Sequence, residues 1–261
     1  MISELKILTG KRTDSAHTYL KESYCTRPFK IANVREDRTD PVLRLMMMSS
    51  SPGMLDKDHY QLDITVAAGT SLHLQTQAYQ RLFSMETGAQ QQMTVRLQPR
   101  STFTFLPHPL VPHENATYTA HTDLHLAVDC RLIWSEIITC GRKLNGEVFL
   151  FSKLHSITQV YHEEQLLLRD NLLMQPGLMD FEAMGWMEGY THQATFLFFD
   201  THTNTTLNEI TDRLHRYLDT QPALLAGVSR THGSGVMVRL LGQGGEQLHA
   251  CLQQLVGLLS S

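Results

Sequence analysis

The sequence is short of charge, of cysteine and of long apolar runs, and each shortage excludes a class of protein. Asp, Glu, Lys and Arg make up 18% of the 261 residues, with 26 acidic against 22 basic side chains and a formal net charge of −4. No basic excess is present to draw the chain to nucleic acid or to anionic lipid. The four cysteines, Cys25, Cys130, Cys140 and Cys251, are scattered and form no CxxC pair. A chain this long builds its core without a disulfide framework, so reduced thiols in the cytosol are expected. The most apolar stretches, Leu43–Met48 and Phe196–Phe199, fall far short of the ~20 residues of a spanning helix. The opening MISELKILTGKRTD has no apolar segment long enough for a secretory signal. The expectation is a cytoplasmic chain with no membrane partner.

Catalytic motifs are also missing. There is no GxSxG elbow, and Ser84 and Ser152 stand in ordinary contexts. Cys25 precedes Thr26-Arg27, but no pattern supplies its histidine partner. There is no GxxxxGK[ST] loop; Gly242-Gln243-Gly244-Gly245 precedes a helix but lacks a lysine to reach outer phosphates. It reads as a flexible turn, and the chain as no enzyme.

What is present is alternation. Leu62, Ile64 and Val66 alternate with Gln61, Asp63 and Thr65, and after Ala67-Ala68-Gly69 the pattern resumes at Leu72 and Leu74. Met93, Val95 and Leu97 run to Pro99, and Phe103 and Phe105 to Pro107. One long run passes through Leu124, Leu126, Val128, Cys130 and Leu132 to Trp134, and Val148–Phe151, Ile157–Tyr161 and Gln165–Leu168 read as further strands. Strands in close succession with few helices between them predict a mainly β body, not a βαβ fold. Tyr79–Gly88 reads as a short helical or turn segment.

Helices come late. Thr205 or Thr206 is a candidate cap for a helix carrying Leu207, Ile210, Leu214, Tyr217 and Leu218, ended at Gln221-Pro222. A last helix is predicted over about Glu246 to Leu259, with short strands at Ala226–Ser229 and Val236–Leu241 before it. Gln175-Pro176-Gly177 marks a boundary. Residues 1–175 form the β-rich body, and 176–261 a C-terminal α+β portion packed on it.

Candidate metal ligands are spread thinly. His121, Asp123 and His125 share strand parity and line one face; imidazole and carboxylate suit nickel or zinc, yet the spacing matches no standard site. Asp56, Asp58 and Asp63 form an acidic group offset by Lys57, which reads first as a solvated loop. Met46, Met47 and Met48 point alternately and read as core. In Gly141-Arg142-Lys143-Leu144-Asn145-Gly146-Glu147 the glycines permit a reversal, and Arg142 with Glu147 can lock it through a two-point ion pair. Direct contact with a partner is the alternative there.

An ordered set of segments then becomes recognisable: Arg27-Pro28-Phe29; Ser51-Pro52-Gly53 with Asp58; Gln75-Thr76-Gln77-Ala78; Leu106-Pro107-His108-Pro109 with Pro112. Gly141-Arg142 and Gly146-Glu147, preceded by Trp134 and Glu136, follow, and then Ala226–Ser229 and Val238–Gly242. In order and spacing this series resembles the urease accessory protein family UreD, also called UreH. Two positions depart from it. Met54 stands where the family has its second glycine, and Lys57 replaces the glycine before Asp58, so backbone freedom is lost there.

The resemblance implies an elongated, helically wound β structure of stacked sheets with a small helical component. It also implies a noncatalytic urease maturation scaffold that joins a UreF-like protein and a UreG-like GTPase to urease apoprotein. GTP is then expected on the partner GTPase only, and nickel passes transiently with no tightly bound cofactor. Asp58, Asp63, His121, Asp123 and His125 are the candidate contacts of that nickel path. Arg142, Glu147, Thr76 and Gln77 are the candidate structural or partner-contact residues. A β-rich interaction module unrelated to nickel, and a metal-dependent hydrolase, are the other readings.

Overall fold

The computed structural model describes residues 2–12, 16–37, 39–202 and 206–260. In chain order the strands begin with β1 (Ile2–Lys11), β2 (Thr18–Cys25), β3 (Phe29–Asn33), β4 (Leu43–Ser49), β5 (His59–Val66) and β6 (Ser71–Thr76). They continue with β7 (Gln80–Leu82), β8 (Ala89–Leu97), β9 (Thr102–Leu106), β10 (Leu110–Pro112), β11 (Thr117–Leu126) and β12 (Arg131–Thr139). The last are β13 (Lys153–His162), β14 (Gln165–Met174), β15 (His192–Asp200), β16 (Leu225–Arg230) and β17 (Gly235–Gly242). The α-helices among the described residues are α1 (Leu207–Leu218) and α2 (Gly245–Ser260), with a single 3-10 turn at Lys143–Asn145.

The strands form a seven-stranded sheet, ordered β14-β13-β11-β8-β5-β1-β2, and a ten-stranded sheet with β16-β17-β15-β12-β9-β6-β4-β3 as its main path. From β5 to β13 the chain crosses between sheets at each main step, while neighbours within each sheet pair in parallel. That combination is a helical winding. At one end the crossings are tight turns, and each holds one residue in the left-handed region: Gly69 (φ 65°), Arg100 (φ 60°) and Asp129 (φ 55°). The turns stack, with Gly69 N–H donating to Pro99 O (3.0 Å) and Arg100 N–H to Val128 O (3.2 Å). The next residue in each turn, Thr70, Ser101 and Cys130, is buried, so Cys130 is a rung of a small-residue stack.

Alternation explains the core. Leu62, Ile64, Val95, Leu97, Leu124 and Leu126 of one sheet meet Leu72, Leu74, Phe103, Leu132 and Trp134 of the other. The opposite face of the ten-stranded sheet is also apolar. Ile133, Ile137, Phe196, Phe198 and Val238 take up Leu214 and Leu218 of α1 and Leu248, Leu252 and Leu255 of α2. The C-terminal residues thus continue the body, because β15 pairs with β12 along its whole length.

Several sequence expectations change. The run from Leu124 to Trp134 is two strands, β11 and β12, joined through 127–130 with Val128 exposed. The turn length keeps inward positions on even numbers in both strands, so the break is invisible to parity. Val148–Phe151 is not a strand: Phe149 has φ 53°, its N–H donates to Cys140 O, and its ring stacks on Phe181 at 4.7 Å. Within Tyr79–Gly88 the regular element is the extended β7, paired in parallel with β10. Thr206 stands at the cap of α1 without a side-chain capping bond, and Thr205 lies outside the described residues.

Candidate functional site

The end opposite the tight turns carries the long connections. There β6, β9 and β12 finish at Thr76, Leu106 and Thr139, and β5, β8, β11 and β13 begin. A cleft of about 600 Å³ opens among these loops, lined by Phe29, Tyr60, Gln77, Tyr79 and Glu246 among others. Behind it, between the sheets, lies a small cavity of about 50 Å³. Its walls include Gln91, Tyr118, Thr122, Trp134 and Glu136. Met47, Thr76, Gln80 and His108 line both spaces.

The cavity wall is polar for a protein interior. Glu136 shares inward parity with Leu132 and Trp134 on β12, which turns its carboxylate toward the opposite sheet. Ser156 Oγ of β13 donates to Glu136 Oε1 at 2.9 Å. Burial raises the Glu136 pKa to about 7, with Asp170 adding to the rise while the Ser156 bond and Arg239 oppose it. Its proton is therefore exchangeable near neutral pH. Burial also lifts the Tyr118 hydroxyl well above its ordinary value. The Trp134 Nε1–H is buried without a partner among the described residues, a donor that polar contents of the cavity can satisfy. Thr76 Oγ1 accepts from His108 N–H at 2.8 Å and lies 3.2 Å from His108 Nδ1. Gln77 is fixed by its N–H donating to Met47 O at 2.9 Å.

Beside the cleft, Arg142 and Glu147 make the two-point pair. Arg142 Nε donates to Glu147 Oε2 at 2.8 Å and Nη2 donates to Oε1. Glu147 Oε2 also accepts from Glu114 N–H at 3.3 Å. Gly141 has φ 123°, and a Cβ there would stand 3.0 Å from both Glu147 O and Pro112 O, so the reversal needs glycine. Within the loop, Lys143 Nζ donates to Thr191 Oγ1 and to Gln243 Oε1.

These observations bring a comparison with known proteins into focus. The sequence matches the family described as UreD urease accessory protein over residues 3–261. The chain belongs to the UreD family. A urease accessory protein UreD of Flavobacterium johnsoniae is 45% identical over 255 residues, covering 98% of this chain and 91% of that protein. Those of Acetivibrio thermocellus and Haemophilus influenzae are 29% and 32% identical, covering 98% and 100% of this chain and 97% and 100% of their own. As a UreD protein, the chain serves urease maturation and is not an enzyme.

The family-like segments gather at the loop end. Phe29 meets Tyr60 edge to face, with centroids 4.8 Å apart, and lines the cleft with Ser51, Pro52, Thr76 and His108. The two UreD glycines absent here have different fates. Met54 is fully buried, with its sulfur accepting from Gln80 Nε2. Lys57 adopts φ 65°, the conformation that glycine takes without strain.

The candidate metal ligands are not brought together. Asp58 folds back on its own loop, accepting from Leu55 N–H at 2.8 Å. Asp63 is on the outer face of its sheet, 3.9 Å from Arg96 Nη1. His121 and Asp123 share that outer face at 3.2 Å, with Gln159 against His121, and His125 stacks on Tyr161. None of the five lines the inter-sheet cavity. Among the described residues, no group of three or more His, Cys, Asp or Glu is placed to hold a metal ion. Glu136, Tyr118 and Gln91 were missed as site residues, although a charged or polar side chain at an inward position of an alternating strand is the signal that finds them.

Two other features bear on partners. Leu144, Val148, Leu150, Leu178, Met184 and Trp186 are exposed, and the Phe149–Phe181 stack joins the two loops that carry them. Among the described residues no helix is long and apolar enough to cross a membrane.

Proposed function

We propose that this chain is a cytoplasmic scaffold of urease maturation that joins a UreF-like protein and a UreG-like GTPase to urease apoprotein. Nickel is its cargo, taken in at the cleft and passed through the inter-sheet cavity. The observation that carries this reading is the cavity behind the cleft, whose largely apolar wall carries Gln91, Thr122 and the Glu136 carboxylate.

A conduit must bind weakly enough to release. Carboxylate, hydroxyl and amide oxygens are suitable donors for a divalent ion, and Gln91 of β8, Tyr118 and Thr122 of β11 and Glu136 of the facing β12 offer them. A carboxyl group titrating near neutrality exchanges its proton for a cation at little cost. GTP hydrolysis is assigned to the GTPase partner. The exposed apolar side chains of 144–150 and 178–186 support a protein contact beside the cleft.

The test is to express urease with its other accessory proteins, with and without this chain, and to measure bound nickel and activity. The reading expects restored nickel loading together with copurification of the chain in the accessory complex. No restoration by a folded chain, with partner expression verified, would overturn it.

A further inference from the structure

Met47, Thr76, Gln80 and His108 face both the cleft and the inter-sheet cavity, and so form the neck between them. His108 lies between Pro107 and Pro109, whose rings fix their own backbone angles. Rotation of the His108 side chain is then one movement that widens the neck. Two contacts hold that ring. Thr76 Oγ1 accepts the His108 amide at 2.8 Å and lies 3.2 Å from His108 Nδ1. The ring stacks on His249, with centroids 4.5 Å apart and planes 17° apart.

His249 belongs to the start of α2 and is buried, with no partner for its Nε2 among the described residues. With no hydrogen bond at Nε2 among the described residues, the contact this ring makes toward the neck is its stack on His108. One turn earlier, Glu246 Oε1 accepts from the Tyr79 hydroxyl at 2.7 Å, and Tyr79 and Glu246 both line the cleft. Gly245 allows this approach: a Cβ there would come within 2.9 Å of Pro109 Cγ and 3.0 Å of the Tyr79 hydroxyl.

We propose that the start of α2 is a latch on the neck: His249 holds the His108 ring across it and Glu246 holds Tyr79, so that displacing this helix end opens the cavity to the cleft. The latch rests on the nickel reading only for the identity of what passes. Access to the interior is thereby coupled to whatever grips or moves α2.

The experiment uses the full chain carrying Ala120→Cys, which puts a thiol on the cavity wall. Methyl methanethiosulfonate is the probe, and the modification rate of each cysteine is read by peptide mass spectrometry. Cys25, which is exposed, is the reference; Cys251, buried on α2, reports whether the helix has left the body. In this background His249→Ala and Tyr79→Phe are expected to speed modification of the introduced thiol about tenfold, equivalent to losing roughly 1.4 kcal/mol of closing contacts. Gly245→Ala, which pushes the helix start off Pro109, is expected to act in the same direction. Cys25 should be unchanged and Cys251 still protected. An unchanged rate in all three variants would overturn the latch, as would a rise that appears only when Cys251 reacts equally fast. No nickel enters this assay, so its outcome is separate from that of the nickel-loading test.

Discussion

Ser156 Oγ donates to Glu136 Oε1 at 2.9 Å and so joins β13 of one sheet to β12 of the other across the interior. Glu136 is partly buried and gains a single hydrogen bond, while desolvation raises its pKa from the ordinary 4.5 to about 7. An acid whose folded pKa is raised keeps its proton more firmly in the native state. Its contribution to stability is therefore present below about pH 4.5 and is lost as pH rises from there through about 7. Glu136→Gln should remove that decline. Urea unfolding at about pH 8 should show the variant more stable by roughly 1–3 kcal/mol, with little difference near pH 4.5. Parallel profiles for the two proteins would contradict the assignment. The same variant should also load less nickel into urease, so its stability and its function are expected to move in opposite directions.

Lys57 holds φ 65° where the family pattern has glycine. A left-handed backbone costs a residue with a Cβ about 1–2 kcal/mol, and glycine's greater unfolded freedom returns part of that. Lys57→Gly is expected to raise stability by about 0.5–1 kcal/mol in chemical denaturation. A fall would mean that the lysine side chain contributes more than its backbone strain removes.

Much of this fold is legible as parity. The inward residues of β5, β8 and β11 and of β6, β9 and β12 were readable from alternation, and both helices from their apolar spacing. Parity cannot tell one strand from two joined by a turn that preserves it, which is why the break at 127–130 was hidden. It also cannot reveal winding, since parallel pairing depends on which sheet each strand joins. In Val148–Phe151 the apolar pattern arises because Phe149 turns to Phe181 while Phe151 enters the core. The cavity left a fainter mark. Toward the loop end the inward positions change from Val95 and Leu97 to Gln91, from Leu124 and Leu126 to Tyr118 and Thr122, and from Leu132 to Glu136. That gradient belongs to several strands at once, and only their stacking assembles it. His121, Asp123 and His125 were a more visible cluster because they are adjacent on one strand, yet their face is outward.

The Arg142–Glu147 pair closes the 141–147 reversal, with Glu147 buried beneath an exposed Arg142. Arg142→Ala and Glu147→Ala should accelerate amide hydrogen exchange in this loop and at Glu114 while moving the global melting temperature little. The Arg142 bond lowers the Glu147 pKa, so the protection should be present above about pH 4.5 and lost as pH falls below it. Arg142→Lys should not restore it, because an ammonium cannot make the parallel pair of bonds. Unchanged exchange in the alanine variants would remove the clamp from the account.

Leu144 and Met184 are almost fully exposed on the two loops joined by the Phe149–Phe181 stack. If these loops face a partner, Leu144→Asp and Met184→Asp should weaken copurification of the accessory complex by tenfold or more, about 1.4 kcal/mol each. Neither side chain fills the core, so thermal stability should stay within about 0.5 kcal/mol of the parent. Intact complexes from both variants would place the partner surface elsewhere.

The most direct test of the central claim is to fill the inter-sheet cavity and count nickel. Ala120 lines this space of about 50 Å³, and Ala120→Leu projects an isobutyl side chain into it. The measurement is nickel per urease active site after coexpression, alongside the melting temperature of the variant and its recovery in the accessory complex. With folding and assembly retained, the account predicts that urease comes out largely without nickel. Urease with its full complement of nickel, matured through a filled cavity, would contradict it.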